Sequence, residues 1–400
     1  MGILAGRVDH VIGVDTHRDR HTAAICDPNG GVEHEASVCA DAAGYRALLD
    51  VARERAAGRR VWAIEGSGMY GAGLAHYLLG EGEWVVEIDR PARPARRNGA
   101  KSDALDAARA AREALGREHL GVPRARGSRE ALRALVSTRE GAVGARTQAM
   151  CQLRALVVGA PEPLRQRLRV RSSAELLQAC CGLRVAPSQP IEQQATIVAA
   201  RALARRILAL EGEVAELESR LTGLVRAVAP QLVDEPGVGP VCAAWIIVAW
   251  SHRGRLRSEA AFAQLAGACP IPASSGQVVR HRLNRSGDRR LNRALHTVVL
   301  CRLALDPQTR AYAARRAAEG KSRREIKRCL KRFVARRVFR LLECGPPDAA
   351  RELRSTRTSF RVSEFANSAL EHGPLRPAAE IVCELIDRLQ PSEERAPSLS

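Results

Sequence analysis

The chain has 400 residues, enough for two or three folding units, and 46% of them are apolar, enough to give each unit a core. Lys and Arg number 63 against 44 Asp and Glu, a net charge of +19 that points to a polyanionic partner. No apolar run is long enough for a membrane span, and the segment Met1 to Arg7 carries no signal-peptide core. A cytoplasmic, nucleoid-associated protein with no membrane partner is therefore expected.

The first hundred residues read as mixed α/β. Residues 11–15, 21–26 and 32–38 are short strand candidates. Asp27-Pro28-Asn29-Gly30-Gly31 is turn chemistry that makes a hairpin of the last two. Asp41 caps a helix to about residue 57, and residues 61–65 form a fourth strand. Residues 70–79 form a helix and 84–88 a fifth strand. After a basic, Pro-containing loop, Ser102 caps a helix that runs through Leu115. This order, β-β-β-α-β-α-β-α, is that of an α/β RNase H-like fold, here assigned to residues 8–118.

Residues 128–228 read as almost wholly helical. Leu203, Ile207, Leu210, Val214, Leu217, Leu221 and Leu224 are spaced 4-3-4-3-4-3, which is a heptad seam. The expectation is a coiled coil through which copies of the chain associate; a long helix packed within its own chain is the alternative. A mainly α unit follows over residues 230–342. It opens with Pro236-Gly237-Val238-Gly239-Pro240 and an apolar helix, a pattern like a helix-hairpin-helix turn. Gly237 and Gly239 would there let backbone N–H groups approach a phosphate. Residues 343–400 form a weakly acidic tail with no assigned role.

Most of the positive charge lies in two segments of this third unit. Residues 278–293 hold six Arg and one Asp, and residues 315–340 hold twelve Lys and Arg against two Glu. Such concentration favours a phosphate-backbone footprint over an ordinary solvated face, with Arg280, Arg282, Arg285, Arg289 and Arg290 as candidate nucleic-acid contacts. Arg93, Arg96, Arg97 and Lys101 add a smaller basic loop. The 11 cysteines include no C-x-x-C pair, so neither a thiolate metal site nor a disulfide framework is expected.

Four acids stand at informative positions. Asp15 ends the first strand and Glu65 the fourth, while Asp103 and Asp106 share one face of the helix that Ser102 caps. In an RNase H-like sheet the first and fourth strands are neighbours and the last helix packs beside them, so the four carboxylates would converge. Converging carboxylates repel unless they are protonated or neutralised by cations. Mg²⁺ is the natural neutraliser, because it takes oxygen ligands and leaves positions for substrate phosphates.

Three motifs carry a family resemblance. Ile12-Gly13-Val14-Asp15-Thr16-His17, Ile64-Glu65-Gly66-Ser67-Gly68-Met69-Tyr70 and Lys101-Ser102-Asp103-Ala104-Leu105-Asp106-Ala107 closely resemble the DEDD transposases of the insertion-sequence-110 family, whose catalytic domain is RuvC-like. Ser102 stands where that family usually has Thr, which keeps the capping hydroxyl. The resemblance implies that Asp15, Glu65, Asp103 and Asp106 bind Mg²⁺ and are catalytic. The stretch from Leu265 to Leu295 resembles the family's second conserved domain, in which a serine is the nucleophile. The matching residue is Ser275, with Ser274 as the alternative. Implied as well are DNA as substrate, a guide (bridge) RNA, a coiled-coil middle and a homodimer or homotetramer. The expected activity is that of a DNA transposase/recombinase, an enzyme working through a covalent phosphoserine intermediate. Two rivals remain: a RuvC-like junction-resolving nuclease that uses water, and a noncatalytic DNA-binding coiled-coil scaffold.

Overall fold

The computed structural model describes residues 4–88, 102–169, 172–274 and 281–344. The basic loop with Arg93, Arg96, Arg97 and Lys101 lies outside them, as do Ser275, Arg280 and nearly all of the tail.

The amino-terminal sheet is built from β1 (His10–Thr16), β2 (Arg20–Cys26), β3 (Val32–Cys39), β4 (Arg60–Glu65) and β5 (Val85–Ile88), in the order β3-β2-β1-β4-β5. The first three strands pair antiparallel, and β4 and β5 run parallel to β1, which is the RNase H-like arrangement. In the β2–β3 turn, Asp27 Oδ1 accepts from the N–H groups of Asn29 and Gly31, each at 2.8 Å. Helix α1 (Ala42–Arg55) starts where Asp41 accepts from Gly44 N. Helix α2 (Ala72–Gly80) starts two residues later than its sequence indicates, because the chain first turns from Gly66 to Gly71.

Alternation along the strands divides this domain into two apolar layers. Ile12, Val14, Trp62 and Ile64 face α1 and α2. Val11, Val61 and Ala63 face the helix α3 (Asp103–Leu115), whose contact stripe is almost all alanine. Small side chains there let helix and sheet approach closely.

The middle of the chain is helical, as expected. Helix α4 (Ser128–Val158) pairs antiparallel with α7 (Ile191–Val228), and α5 (Glu162–Leu168) and α6 (Ser173–Cys181) fold over the far end. Arg139 and Arg146 on α4 pair with Glu218 and Glu211 on α7, which fixes the register of the hairpin. Much of the heptad seam is thus used within the chain: Ile207 and Leu221 are fully buried, and Leu203 and Leu224 pack against the two cores at the ends of the hairpin. The seam finds an intramolecular partner because α4 offers Leu132, Val136, Ala149 and Leu153 to the same two cores. A coiled coil between copies therefore does not account for the whole seam. Leu210, Val214 and Leu217, between the two cores, remain half-buried.

The base of this hairpin shares a core with the carboxy-terminal helices. These are α8 (Pro230–Val233), α9 (Pro240–Trp250), α10 (Glu259–Leu265), α11 (Arg289–Leu305), α12 (Pro307–Ala318) and α13 (Arg323–Glu343). Between α10 and α11 lies a short antiparallel ribbon of β6 (Ile271–Pro272) and β7 (His281–Arg282). The ten described cysteines are free. Among the described residues no helix is long and apolar enough to cross a membrane.

Candidate active site

The site is set by one close contact. Gly13 on β1 lies under α3, and a Cβ added there would come 2.6 Å from Ala111 N and closer still to Ala107 O. Only a residue without a side chain lets α3 settle on β1 at this point. One turn earlier on the same helix are Asp106 and Asp103, and two residues further along the strand, on the same face, is Asp15. Ser102 holds the start of α3 by accepting from Leu105 N at 3.3 Å. The pairing of β1 with β4 runs through Val14 opposite Ile64, so Glu65 follows beside Asp15 on the α3 side of the sheet. Thr16 Oγ1 donates to the carbonyl of Glu65 at 2.8 Å and ties the two strand ends together.

Asp15, Asp103 and Asp106 lie near one another, and a histidine joins them. His17 Nε2 lies 3.3 Å from Asp15 Oδ2 and 3.4 Å from Asp103 Oδ1. Asp15, His17 and Asp103 bring one ligand atom each within 4.8 Å of one another, a group that could hold a metal ion. Asp106 lies near enough to act on Asp15 electrostatically, while its Oδ1 accepts from Arg109 Nη1 at 2.6 Å. Burial raises the carboxyl pKa of Asp15, Asp103 and Asp106 push the same way, and His17 opposes them. An acid in that position gains from a cation beside it. His17 stands inside the first motif, yet its position beside Asp103, on an element 86 residues away, has no trace in local sequence. Carboxylate oxygens with one imidazole suit a divalent cation, and a nitrogen ligand widens the choice toward transition metals.

The other candidate residues are placed in the helical unit. Ser274 is exposed at the end of the ribbon that β6 and β7 form, and Ser275 lies outside the described residues. Gly237 has a positive φ of 78° and packs against α11, where an added Cβ would meet Val298 O at 3.1 Å; Gly239 opens away from such contacts. The Pro236 carbonyl of this turn accepts from Arg302 Nε. The turn's first glycine therefore serves packing inside the chain. Arg282, Arg285 and Arg289 are exposed with no ion pair among the described residues. Arg290 differs: it stacks 4.6 Å over the Trp245 ring and pairs with Glu140 at 3.1 Å.

An RNase H-like sheet with acids at the ends of β1 and β4, and at the start of the helix packed across them, is the frame of DEDD nucleic-acid enzymes. The comparisons with known proteins agree. Residues 12–160 match the DEDD transposase model of the IS110 type, and residues 230–314 match the transposase IS116/IS110/IS902 family, together more than half of the chain. An insertion element IS900 uncharacterized 42 kDa protein of Mycobacterium paratuberculosis is 31% identical over 136 residues, 33% of this chain and 34% of that protein. An insertion element IS110 uncharacterized 43.6 kDa protein of Streptomyces coelicolor is 30% identical over 146 residues, 36% of each. These alignments span about a third of the relatives' length. The chain belongs to the IS110 family of transposases.

Proposed function

We propose that the chain is the transposase of an insertion sequence and that it excises and inserts its element by breaking and rejoining DNA strands. The observation that carries this reading is the meeting of Asp15, His17 and Asp103 at one end of an RNase H-like sheet, in a chain of this family. Asp15, Asp103, Asp106 and Glu65 would hold divalent cations, Mg²⁺ in the first instance, with His17 as an added ligand. Bound there, a cation would neutralise the carboxylates and polarise a scissile phosphate. The chain's own part is to fix those oxygens, through the Gly13 contact, the Ser102 cap and the Thr16 bond to the Glu65 carbonyl.

Ser275 is the proposed nucleophile. Its Oγ would form a bond to phosphorus while the bond from phosphorus to the leaving strand oxygen breaks, that oxygen taking a proton as a hydroxyl. Its own hydroxyl proton would pass to a neighbouring base. The phosphoserine ester keeps the energy of the broken linkage, so the reverse attack by another strand's hydroxyl reseals DNA. The exposed Arg282, Arg285 and Arg289 would contact DNA phosphates. A guide RNA and assembly into a dimer or tetramer, through the half-buried Leu210, Val214 and Leu217, complete the reading.

Ser275→Ala decides between this reading and a nuclease that uses water. The variant should lose covalent protein–DNA adduct and cleavage together, measured on DNA carrying the element's ends with Mg²⁺. Cleavage that persists without adduct would replace the serine mechanism with hydrolysis.

A further inference from the structure

The turn that follows Glu65 holds polar groups the reading above does not use. Gly66 takes a positive φ of 70°, and Met69 N donates back to its carbonyl at 2.8 Å. The far end of the turn is seated on β1 and β4: a Cβ added to Gly71 would lie 2.8 Å from Ile64 Cγ2 and 3.0 Å from Thr16 Cγ2. The turn is thus fixed to the same strand ends that carry Asp15 and Glu65. Within it Ser67 is only 5% exposed, and its Oγ has no hydrogen-bond partner. Arg124 reaches this turn from the segment before α4, with Nη1 3.4 Å from where a Cβ of Gly68 would stand. Its Nε is also shut off from solvent and also has no partner.

Stranded donors of this kind are rare in folded proteins, and each costs about 1–3 kcal/mol. Among the described residues, two nearby carboxylates are already engaged by other arginines. Glu130 accepts from Arg129 at 2.9 Å and from Arg133 at 2.6 Å, and Glu87 pairs with Arg255. Burial first, and then the charge of Arg124, hold the Arg129 guanidinium down to about 10. Both stranded groups can donate, Arg124 brings a positive charge to the turn, and Gly68 offers no side chain to block approach. An oxyanion answers all three conditions.

We propose that Arg124 and Ser67 seat a phosphate of the DNA strand whose neighbouring phosphodiester lies at the acidic group. This rests on the function proposed above and adds a positioning site to it. The guanidinium and the hydroxyl donate to the non-bridging oxygens, and the turn moves outward to admit them, as its glycines at 66 and 68 allow. The seat fixes the register of the strand without touching the bond that breaks.

The test uses the full chain and a duplex carrying the element's end, in Ca²⁺ to hold cleavage back. Titrations over a range of salt should show Arg124→Met binding about 10-fold more weakly than the parent. Its slope of log affinity against log salt should be shallower by about 1. Arg124→Lys should keep the slope. Replacing phosphates one at a time by neutral methylphosphonates should find one position that weakens the parent and makes no further difference to Arg124→Met. Should Arg124→Met fold poorly, Gly68→Ala carries the same test, since its methyl narrows the seat and strains nothing else. Metal affinity measured by calorimetry should be unchanged in each variant. An unchanged slope, additive methylphosphonate effects, or a loss of metal affinity that accounts for the weaker binding would each overturn the seat. Failure of the underlying reading shows itself elsewhere, as binding equally strong with and without Ca²⁺ and equally strong in Asp15→Asn.

Discussion

The acidic end of the amino-terminal sheet and the basic helices at the other end of the chain handle charge in opposite ways. Around α13 several arginines are paired from within. Glu259 takes Arg336 and Arg340, and Glu235 takes Arg302 and Arg337. Across to α4, Glu140 takes Arg290 and Arg293. At the sheet, like charges are left facing one another, with the His17 imidazole between Asp15 and Asp103 and Arg109 paired to Asp106. One region thus pairs several of its arginines with glutamates from other elements, while the other gathers aspartates around a half-buried Asp15 whose carboxyl pKa is raised by burial and by Asp103 and Asp106.

The strongest test of that contrast is Asp15→Asn. Removing the most buried oxygen of the group should lower divalent-metal affinity by 10–100-fold in calorimetry. DNA cleavage should fall by roughly a thousandfold. Metal-free protein should melt no lower than the parent. The sign follows from the raised pKa: the folded chain holds this proton above the ordinary value of 3.8. Asp15 therefore favours folding at low pH, and that contribution is lost as pH rises through its raised pKa. The amide abolishes the loss. A large drop in melting temperature without metal would mean that the group stabilises the fold by itself, and the contrast between the two regions would go.

Gly13→Ala should act on the same site through packing. The added methyl meets backbone of α3, which cannot swing aside as a side chain could, so a cost of about 1–3 kcal/mol is expected in denaturant unfolding. Metal affinity should fall with it, because Asp103 and Asp106 ride on the displaced helix. A destabilised variant with full metal affinity would show that the acids are placed by something other than this contact.

These contacts also mark where sequence stops being informative. The strand order, the Asp41 and Ser102 caps and the convergence of Asp15 with Asp103 were legible, because each depends on local chemistry or on a known sheet order. The role of Gly13 was not, since a glycine in a strand has many uses. Nor was His17, whose second neighbour arrives on another element. The seam on α7 was legible as apolar spacing, but spacing does not say whether the partner is α4 or a second copy. The charge clusters were the least faithful signal. Counting arginines gave a footprint across all of residues 315–340, whereas the carboxylates that cancel several of them lie 77 to 102 residues away in sequence.

That last point gives the smallest effect and a sharp discrimination. Arg282 and Arg285 are exposed and unpaired among the described residues, so a DNA phosphate that reaches them releases counterions. Each should account for about 0.9 of the salt slope, and Arg282→Gln or Arg285→Gln should flatten the slope by that amount. Arg336 and Arg340 already face Glu259 at 2.9 and 3.0 Å. To meet a phosphate they would have to leave a carboxylate, an exchange that returns little. Arg336→Gln and Arg340→Gln should therefore leave the slope within about 0.3 of the parent, with stability changed by less than about 1 kcal/mol, as for other partly exposed ion pairs. If all four variants flattened the slope equally, the pairing with Glu259 would give way on DNA. The two ends of the molecule would then differ only in the sign of their charge.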